Sequence, residues 1–372
     1  MKIDLAVLGR RFERHQTEYE NAALRVLRSG YYVLGPEVEA FEQDFAAYTG
    51  AKYAVGVNSG LDALRLSVRA LDIGAGDEVI VPANTYIATV LAVTENGACP
   101  VFIEPDACFG LSAEYLAAAI SPRTKAIIVV HLYGQGADLA SIMEIAKAHG
   151  IPVIEDCAQS HGAHFARRMT GRFGALGCFS FYPTKNLGAF GDAGAVVTDS
   201  AELAEKIRMM RNYGSKVKYQ NEIAGVNSRL DEMQAALLRV GLRHLPEEIE
   251  ERQRIAAEYR EHISNPWLAL PKKREAAEHT YHQFVVRSKH RDDFQRYLKE
   301  HGVTTLIHYP VPPHLAQCYR DLGHQAGDFP LAEEMAQEVL SLPLFNGMTQ
   351  EEVQCVIDLC NDYRPILGGD EG

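Results

Sequence analysis

AIIVVHLYGQGADLASIMEIAKAHGIPVIED, residues 126–156, decides the fold. Its two ends, AIIVVH (126–131) and PVIED (152–156), are short apolar runs that read as buried strands. Between them Leu139, Ile142, Ile145 and Ala146 recur at 3/3/1 spacing, as one face of a helix covering a sheet does. Upstream, YAVGV (53–57), EVIV (78–81) and PVFI (100–103) are runs of the same kind, and Leu61, Leu64, Val68 and Leu71 repeat at 3/4/3. The alternation predicts a mostly parallel α/β sheet.

At 372 residues the chain exceeds the size at which one core usually stops growing, so a second, smaller domain is expected. The texture changes near residue 245 to a charged helix, PEEIEERQRIAAEYREHIS (246–264). We therefore expect a large domain over 1–245 and a small α+β domain over 246–372. The latter would hold strands at YHQFVVR (281–287) and 303–307, a helix RDDFQRYLKEHG ending at Gly302, and a last helix from Gln350 to Tyr363.

Composition excludes several classes. Hydrophobic residues are 47% and charged residues 23%, with no run near the ~18 apolar residues of a membrane helix, so a soluble protein is expected. The apolar run Leu5–Leu8 in MKIDLAVLGRRFERH is too short for a signal peptide, which predicts the cytoplasm. Seven scattered cysteines without a C-x-x-C argue against a disulfide framework and a zinc knuckle, and most of them read as buried small hydrophobes. No metal site is expected. A net charge of -12 with no basic cluster beyond pairs such as Arg167-Arg168 disfavours nucleic acid, although a phosphate can still bind backbone N–H groups. GQGADL (134–139) keeps two glycines of a dinucleotide-binding G-x-G-x-x-G but has Leu139 for the third.

The chemistry gathers around SFYPTKNLGAFGDAGAVVT (180–198). A lone loop lysine is usually a solvated charge, but Asp156 ends an apolar strand at the place where open α/β sheets bind ligands. In a pocket lined by Phe179, Phe181, Tyr182 and Pro183, the Lys185 amine would lose its proton more readily and form a Schiff base. If the carbonyl is that of pyridoxal phosphate, its ring nitrogen needs an acid, and Asp156 has that chemistry. Ser59-Gly60 in VNSGLDALRL reads as a phosphate cradle at a helix start or as an ordinary N-cap. Ser180 offers a second hydroxyl, and Tyr86 in PANTYIAT either stacks on the cofactor or packs at a rim.

NSGLDAL, PANTYIAT, EDCAQSHGA, FSFYPTKNLGAFGDAGAVVT, RNYGS and GVNSRLDEMQAA, in this order and spacing, resemble the DegT/DnrJ-like nucleotide-sugar aminotransferases, fold-type I PLP enzymes. The resemblance runs from SGYYVLGPEVEAFE at residue 29 to IHYPVPPH at 307. It implies a seven-stranded sheet in the large domain, Lys185 as the Schiff-base lysine, Asp156 on the pyridine nitrogen, Gln159 on the cofactor hydroxyl and Tyr86 on the ring face. Ser59, Gly60 and Ser180 would hold the phosphate, joined by Asn227 from the other subunit of a homodimer.

The resemblance also implies ping-pong transfer from L-glutamate, through pyridoxamine phosphate, to a nucleotide-linked ketosugar. Some relatives replace the lysine by histidine and dehydrate instead; this chain keeps Lys185. GVNSRLDE and NSGLDALRL look closer to members acting at C3 of TDP-linked 3-keto-6-deoxyhexoses than to the C4 group, which remains the alternative. His161 is implied as a further catalytic group and Tyr182 as a substrate contact. His308 and Tyr309 face the sugar or nucleotide or are structural; Tyr31 and Tyr32 stack on the base or simply pack; Arg229 takes the donor carboxylate or makes a salt bridge. A non-catalytic regulator that binds PLP or a sugar nucleotide on the same fold is the reading from another class.

Overall fold

A computed structural model describes residues 1–366; residues 367–372 of the expected small domain lie outside the described residues. Seven strands form the central sheet: β1 (Tyr53–Val57), β2 (Glu78–Pro82), β3 (Cys99–Ile103), β4 (Thr124–Val130), β5 (Val153–Asp156), β6 (Leu176–Ser180) and β7 (Gly194–Thr198). Their spatial order is β1-β7-β6-β5-β4-β2-β3. All neighbours pair in parallel except β7, which runs antiparallel to both β6 and β1. The five predicted runs are all strands, and β2, β5 and β7 are buried along their whole length, as a sheet covered on both faces requires.

The topology gathers the site. Because β1, β2, β5 and β6 point the same way, the residues that follow their carboxyl ends meet on one edge of the sheet. Those residues are Ser59 after β1, Tyr86 after β2, Asp156 at the end of β5 and Ser180 at the end of β6. Lys185 lies in the connection from β6 to β7. The helix Gly60–Ala70 covers the sheet with Leu64 and Val68 buried, and Leu139–His149 does so with Leu139, Ile142 and Ala146.

The charged stretch after residue 245 does not begin a separate element. One helix, Glu232–His262, runs through Pro246 and serves two cores. Its first half packs Ala235, Leu238, Leu242 and Leu245 with Phe41, Phe45 and Phe179; its second packs Ile255, Ala256 and Tyr259 with Phe284 and Leu340. The change of texture marks the handover between cores, not a break in the chain.

In the C-terminal part, Phe284–Arg287 pairs antiparallel with Val339–Leu342. Helices Arg291–Glu300 and Gln350–Asp362 flank this ribbon, the second opened by a Thr349/Glu352 capping box. The strand expected at 303–307 is not formed. Val303 bridges Ile3 in parallel and Leu306 bridges Ser341 antiparallel, so the segment changes partner before a ladder can build. The cysteines also differ from expectation: all seven are free, but only Cys157, Cys178 and Cys360 are buried, while Cys99 and Cys318 are exposed. Among the described residues no helix is long and apolar enough to cross a membrane.

Candidate active site

Asp156 and Lys185 face one another electrostatically. Asp156 is buried, with Oδ1 accepting from the Ala158 N–H at 3.1 Å and Oδ2 from Thr89 Oγ1 at 2.8 Å. Burial raises its pKa, against which these two hydrogen bonds and Lys185 hold the charged form. Lys185 is half-buried by surface, yet its amine is deep enough that desolvation pulls its pKa down to about 8, opposed by Asp156. An amine with that pKa exchanges protons near neutrality, which an ordinary lysine does not.

Close packing joins the proposed phosphate residues. A Cβ on Gly60 would lie 2.5 Å from the Ser180 Cβ, and one on Gly194 would lie 2.3 Å from the Ser59 carbonyl oxygen. Only glycine lets the start of the helix Gly60–Ala70 and the ends of β6 and β7 meet so closely. Ser59 is the N-cap, its Oγ accepting from the Asp62 N–H at 3.1 Å, so the capping reading holds at this position. The Asn58 N–H donates to Ser228 Oγ at 3.2 Å, which brings the Asn227 segment alongside. Asn227 itself is exposed.

The opposite wall is aromatic and hydrogen-bonded. Tyr86 is 52% exposed, with its ring 4.9 Å from that of Tyr309. Gln159 accepts from the Tyr133 N–H at 2.6 Å and donates through Nε2 to the Tyr309 hydroxyl at 3.0 Å. One N–H of Nε2 stays free of both. The Tyr133 hydroxyl donates to the His308 carbonyl, and His308 Nδ1 pairs with Ser341 Oγ at 2.7 Å. Burial and the Lys185 charge hold His308 neutral, with its pKa lowered to about 4.

His161 is buried against Phe179 and Phe181, ring centroids 5.6 and 5.7 Å away, and neither ring nitrogen has a partner. Desolvation, then Lys185, lowers its pKa to about 3. It is therefore a neutral imidazole at working pH and does not titrate there as an acid. Tyr182 is exposed and shares a cavity of ≈ 250 Å³ with Lys185 and His308. Tyr31, Tyr32 and Arg229 do not line that cavity. Tyr31 and Tyr32 are exposed, Tyr32 donating to the Leu27 carbonyl at 3.2 Å; Arg229 donates to Asn212 Oδ1 at 3.1 Å and lies over the Tyr213 ring at 5.6 Å.

Three features escaped sequence reading. Thr89 bonds Asp156 and is itself bonded to Thr85 Oγ1 at 2.7 Å; the i, i+4 threonine pair in PANTYIAT was its available signal. His131 pairs with the fully buried Glu155 at 2.9 Å, and Glu155 also accepts from the N–H groups of Gly171, Phe173 and Gly174. The Ala137 N–H donates to His131 Nδ1, which puts the ring proton on Nε2, facing Glu155. His282 and Arg11 line the Lys185 cavity from distant parts of the chain and carried no local signal.

Known proteins with this arrangement are close. A model of the DegT/DnrJ/EryC1/StrS aminotransferase family matches residues 13–360. The chain is 52% identical over 351 residues to the dTDP-3-amino-3,6-dideoxy-alpha-D-galactopyranose transaminase of Aneurinibacillus thermoaerophilus, covering 94% of this chain and 96% of that one. It is 48% identical over 354 residues to the dTDP-3-amino-3,4,6-trideoxy-alpha-D-glucose transaminase of Streptomyces venezuelae, covering 95% and 93%. The crystal structure of S. venezuelae DesV in complex with a ketimine intermediate superimposes with a TM-score of 0.95 at 47% identity, over 97% of this chain and 98% of that one. With a family match over nearly its whole length and relatives this similar, the chain belongs to the DegT/DnrJ/EryC1/StrS aminotransferase family.

Proposed function

We propose that this protein is a pyridoxal-phosphate-dependent aminotransferase that moves the amino group of L-glutamate to C3 of a TDP-linked 3-keto-6-deoxyhexose. The observation that carries the reading is the placement of Lys185 and the buried Asp156 on adjoining strand ends at the carboxyl edge of the sheet, where each charge favours the other. The choice of C3 is supported by two close relatives whose names both carry a 3-amino sugar.

The residues present fit the cofactor. The glycines at 60 and 194 let the N-terminal end of the helix Gly60–Ala70 come against Ser180, which sets backbone N–H groups beside that side chain for an anion. Ser59, Gly60 and Ser180 would hold the phosphate there, Tyr86 would lie on the ring face, and the free N–H of Gln159 would reach the hydroxyl. Asp156 would hold the proton of the ring nitrogen, its carboxylate kept charged by Thr89 and the Ala158 N–H. When bound, the group supplies a carbonyl for amine exchange and an electron-withdrawing ring that acidifies the donor α-carbon.

Lys185 would hold the carbonyl carbon of the cofactor and, as a free amine, would move a proton to and from the donor α-carbon, a task suited to a pKa of about 8. Neutral His161 and His308 leave Lys185 as the titrating base beside the substrate. Asn227, exposed in one chain, would complete the phosphate site of a second copy, which makes the working unit a homodimer. Its place of work would be the cytoplasm.

The test is to charge the enzyme with glutamate, remove excess donor and offer TDP-linked 3-keto and 4-keto 6-deoxyhexoses separately. Amino transfer to the 3-keto sugar is expected; turnover of the 4-keto sugar alone would overturn the C3 assignment.

A further inference from the structure

The ≈ 250 Å³ cavity beside Lys185 has no other proposed cofactor residue in its wall. None of Ser59, Gly60 and Ser180 lines it, so it is separate from the phosphate cradle. Its outer wall is the N-terminal segment Leu5–Leu8, and the helix Leu8–Arg14 that follows adds Arg11. The chain has a net charge of -12, yet among the described residues this cavity is lined by Arg11, Lys185 and Arg252 and by no aspartate or glutamate. It is built for an anion.

The three arginines of the N-terminal helix are not used alike. Arg10 is saturated by both oxygens of Glu352, at 2.6 and 2.7 Å, and by the Gly347 carbonyl. Arg14 makes a two-point pair with Glu251 at 2.6 and 2.8 Å. These pairs, with the Thr304 N–H donating to the Ile3 carbonyl at 2.8 Å, fix the wall in place. Arg11 donates through Nε to Glu248 Oε1 at 3.2 Å; its Nη2 is buried beside Gly241 and the Tyr19 hydroxyl, and its Nη1 makes no hydrogen bond among the described residues. Glu248 Oε2 is likewise buried and unpartnered. Arg252 donates to the Tyr281, His282 and Leu344 carbonyls, so it contributes charge with few free donors.

We infer that this cavity receives a carboxylate of the amino donor and that Arg11 is its anchor, with Glu248 as the internal acid the incoming carboxylate competes against. The inference rests on the aminotransferase reading above. An arginine with unused donors matches a carboxylate in a way that a saturated one cannot. Half-buried Leu5 and Val7 form the apolar side of the wall. A small amino acid fits beside Lys185, where its amine must arrive.

Glutarate, which has both carboxylates of glutamate and no amine, is the probe. Its dissociation constant is measured by calorimetry on the cofactor-loaded protein and again on the cofactor-free protein. Arg11→Gln is expected to weaken glutarate by ~30-fold or more in both forms, the scale for removing one partner of a buried charge pair. The double variant Arg11→Gln with Glu248→Gln, which strands no buried carboxylate, should show the same loss if folding of the single variant suffers. Glu248→Gln alone should tighten glutarate, a change of opposite sign that a merely structural role of Arg11 does not produce.

In single-turnover spectra, Arg11→Gln should slow the donor half-reaction at subsaturating glutamate and leave the sugar half-reaction within ~3-fold of wild type. Equal loss in both halves, or unchanged glutarate affinity, overturns the inference. If wild type ignores glutamate but reacts with another amino acid, the donor named above is wrong. The anchor then stands or falls by the same comparison of half-reactions with that amino acid.

Discussion

Thr89 Oγ1 donates a 2.8 Å hydrogen bond to Asp156 Oδ2 across 67 positions of sequence, and Thr85 Oγ1 in turn supports Thr89. A buried acid whose charged form is opposed by desolvation thus has a dedicated donor that favours that form. Thr89→Val keeps the shape and removes the donor. Hydrogen bonds to charged groups contribute about 1.5–3 kcal/mol, so cofactor affinity should fall at least tenfold at neutral pH. Because loss of the donor raises the Asp156 pKa further, the deficit should widen as pH falls. Titration of the cofactor-free variant with pyridoxal phosphate at several pH values measures both effects.

The lowered Lys185 pKa predicts a pH dependence of stability in the cofactor-free protein. The group is 10.5 in its ordinary state and about 8 in the fold. Below about 8 both folded and unfolded chains carry the proton and the burial cost is fully present; between the two values only the unfolded chain binds it, so stability rises with pH. The slope from this residue is at most ~1.4 kcal/mol per pH unit. Denaturant melts of wild type and Lys185→Met should differ by that slope across this window and run parallel below it.

His161 acts in the other direction on the pH axis. Its folded pKa of about 3 lies below the ordinary 6.5, so in this interval the unfolded chain binds a proton that the fold refuses, and stability is lost as pH falls. Replacing it by phenylalanine, beside Phe179 and Phe181, should make the protein less sensitive to acid between those values. Nitrogen-15 shifts of the ring should report a neutral imidazole at pH values near ~6. A ring that titrates at an ordinary histidine value would contradict the packing account.

The proposed sharing of the site between two copies predicts complementation. Lys185→Ala and Asn227→Ala should each be nearly inactive alone. A mixed dimer carries both defects in one site and none in the other, so random exchange of equal amounts should restore about a quarter of wild-type activity. If the two variants fail to rescue one another while light scattering shows exchanged dimers, Asn227 does not act across an interface.

The legible part of this protein was what local pattern encodes. Asp156, Ser59 and Ser180 each stand at a strand end, and a parallel sheet brings such ends together whatever the intervening sequence. Thr89 was half-legible, since its spacing from Thr85 was visible but its partner was not. Arg11 and His282 were illegible because nothing near them in sequence points at residue 185; only the packing of the N-terminal segment and the small domain around one cavity unites them. The segment after Gly302 has strand composition but touches two different partners at single points, and composition cannot say which partner a strand will find. Tyr31 and Tyr32 stay exposed in a single chain, where base stacking and interface packing look the same from sequence.

The central claim, that Lys185 carries the cofactor opposite Asp156, is tested most directly by the absorbance of the purified protein after addition of pyridoxal phosphate and gel filtration. Wild type should retain a band at ~420 nm that glutamate moves to ~330 nm, and Lys185→Ala should lose the retained band. A wild-type protein that retains no band, or a Lys185→Ala variant that keeps it unchanged, would contradict the account.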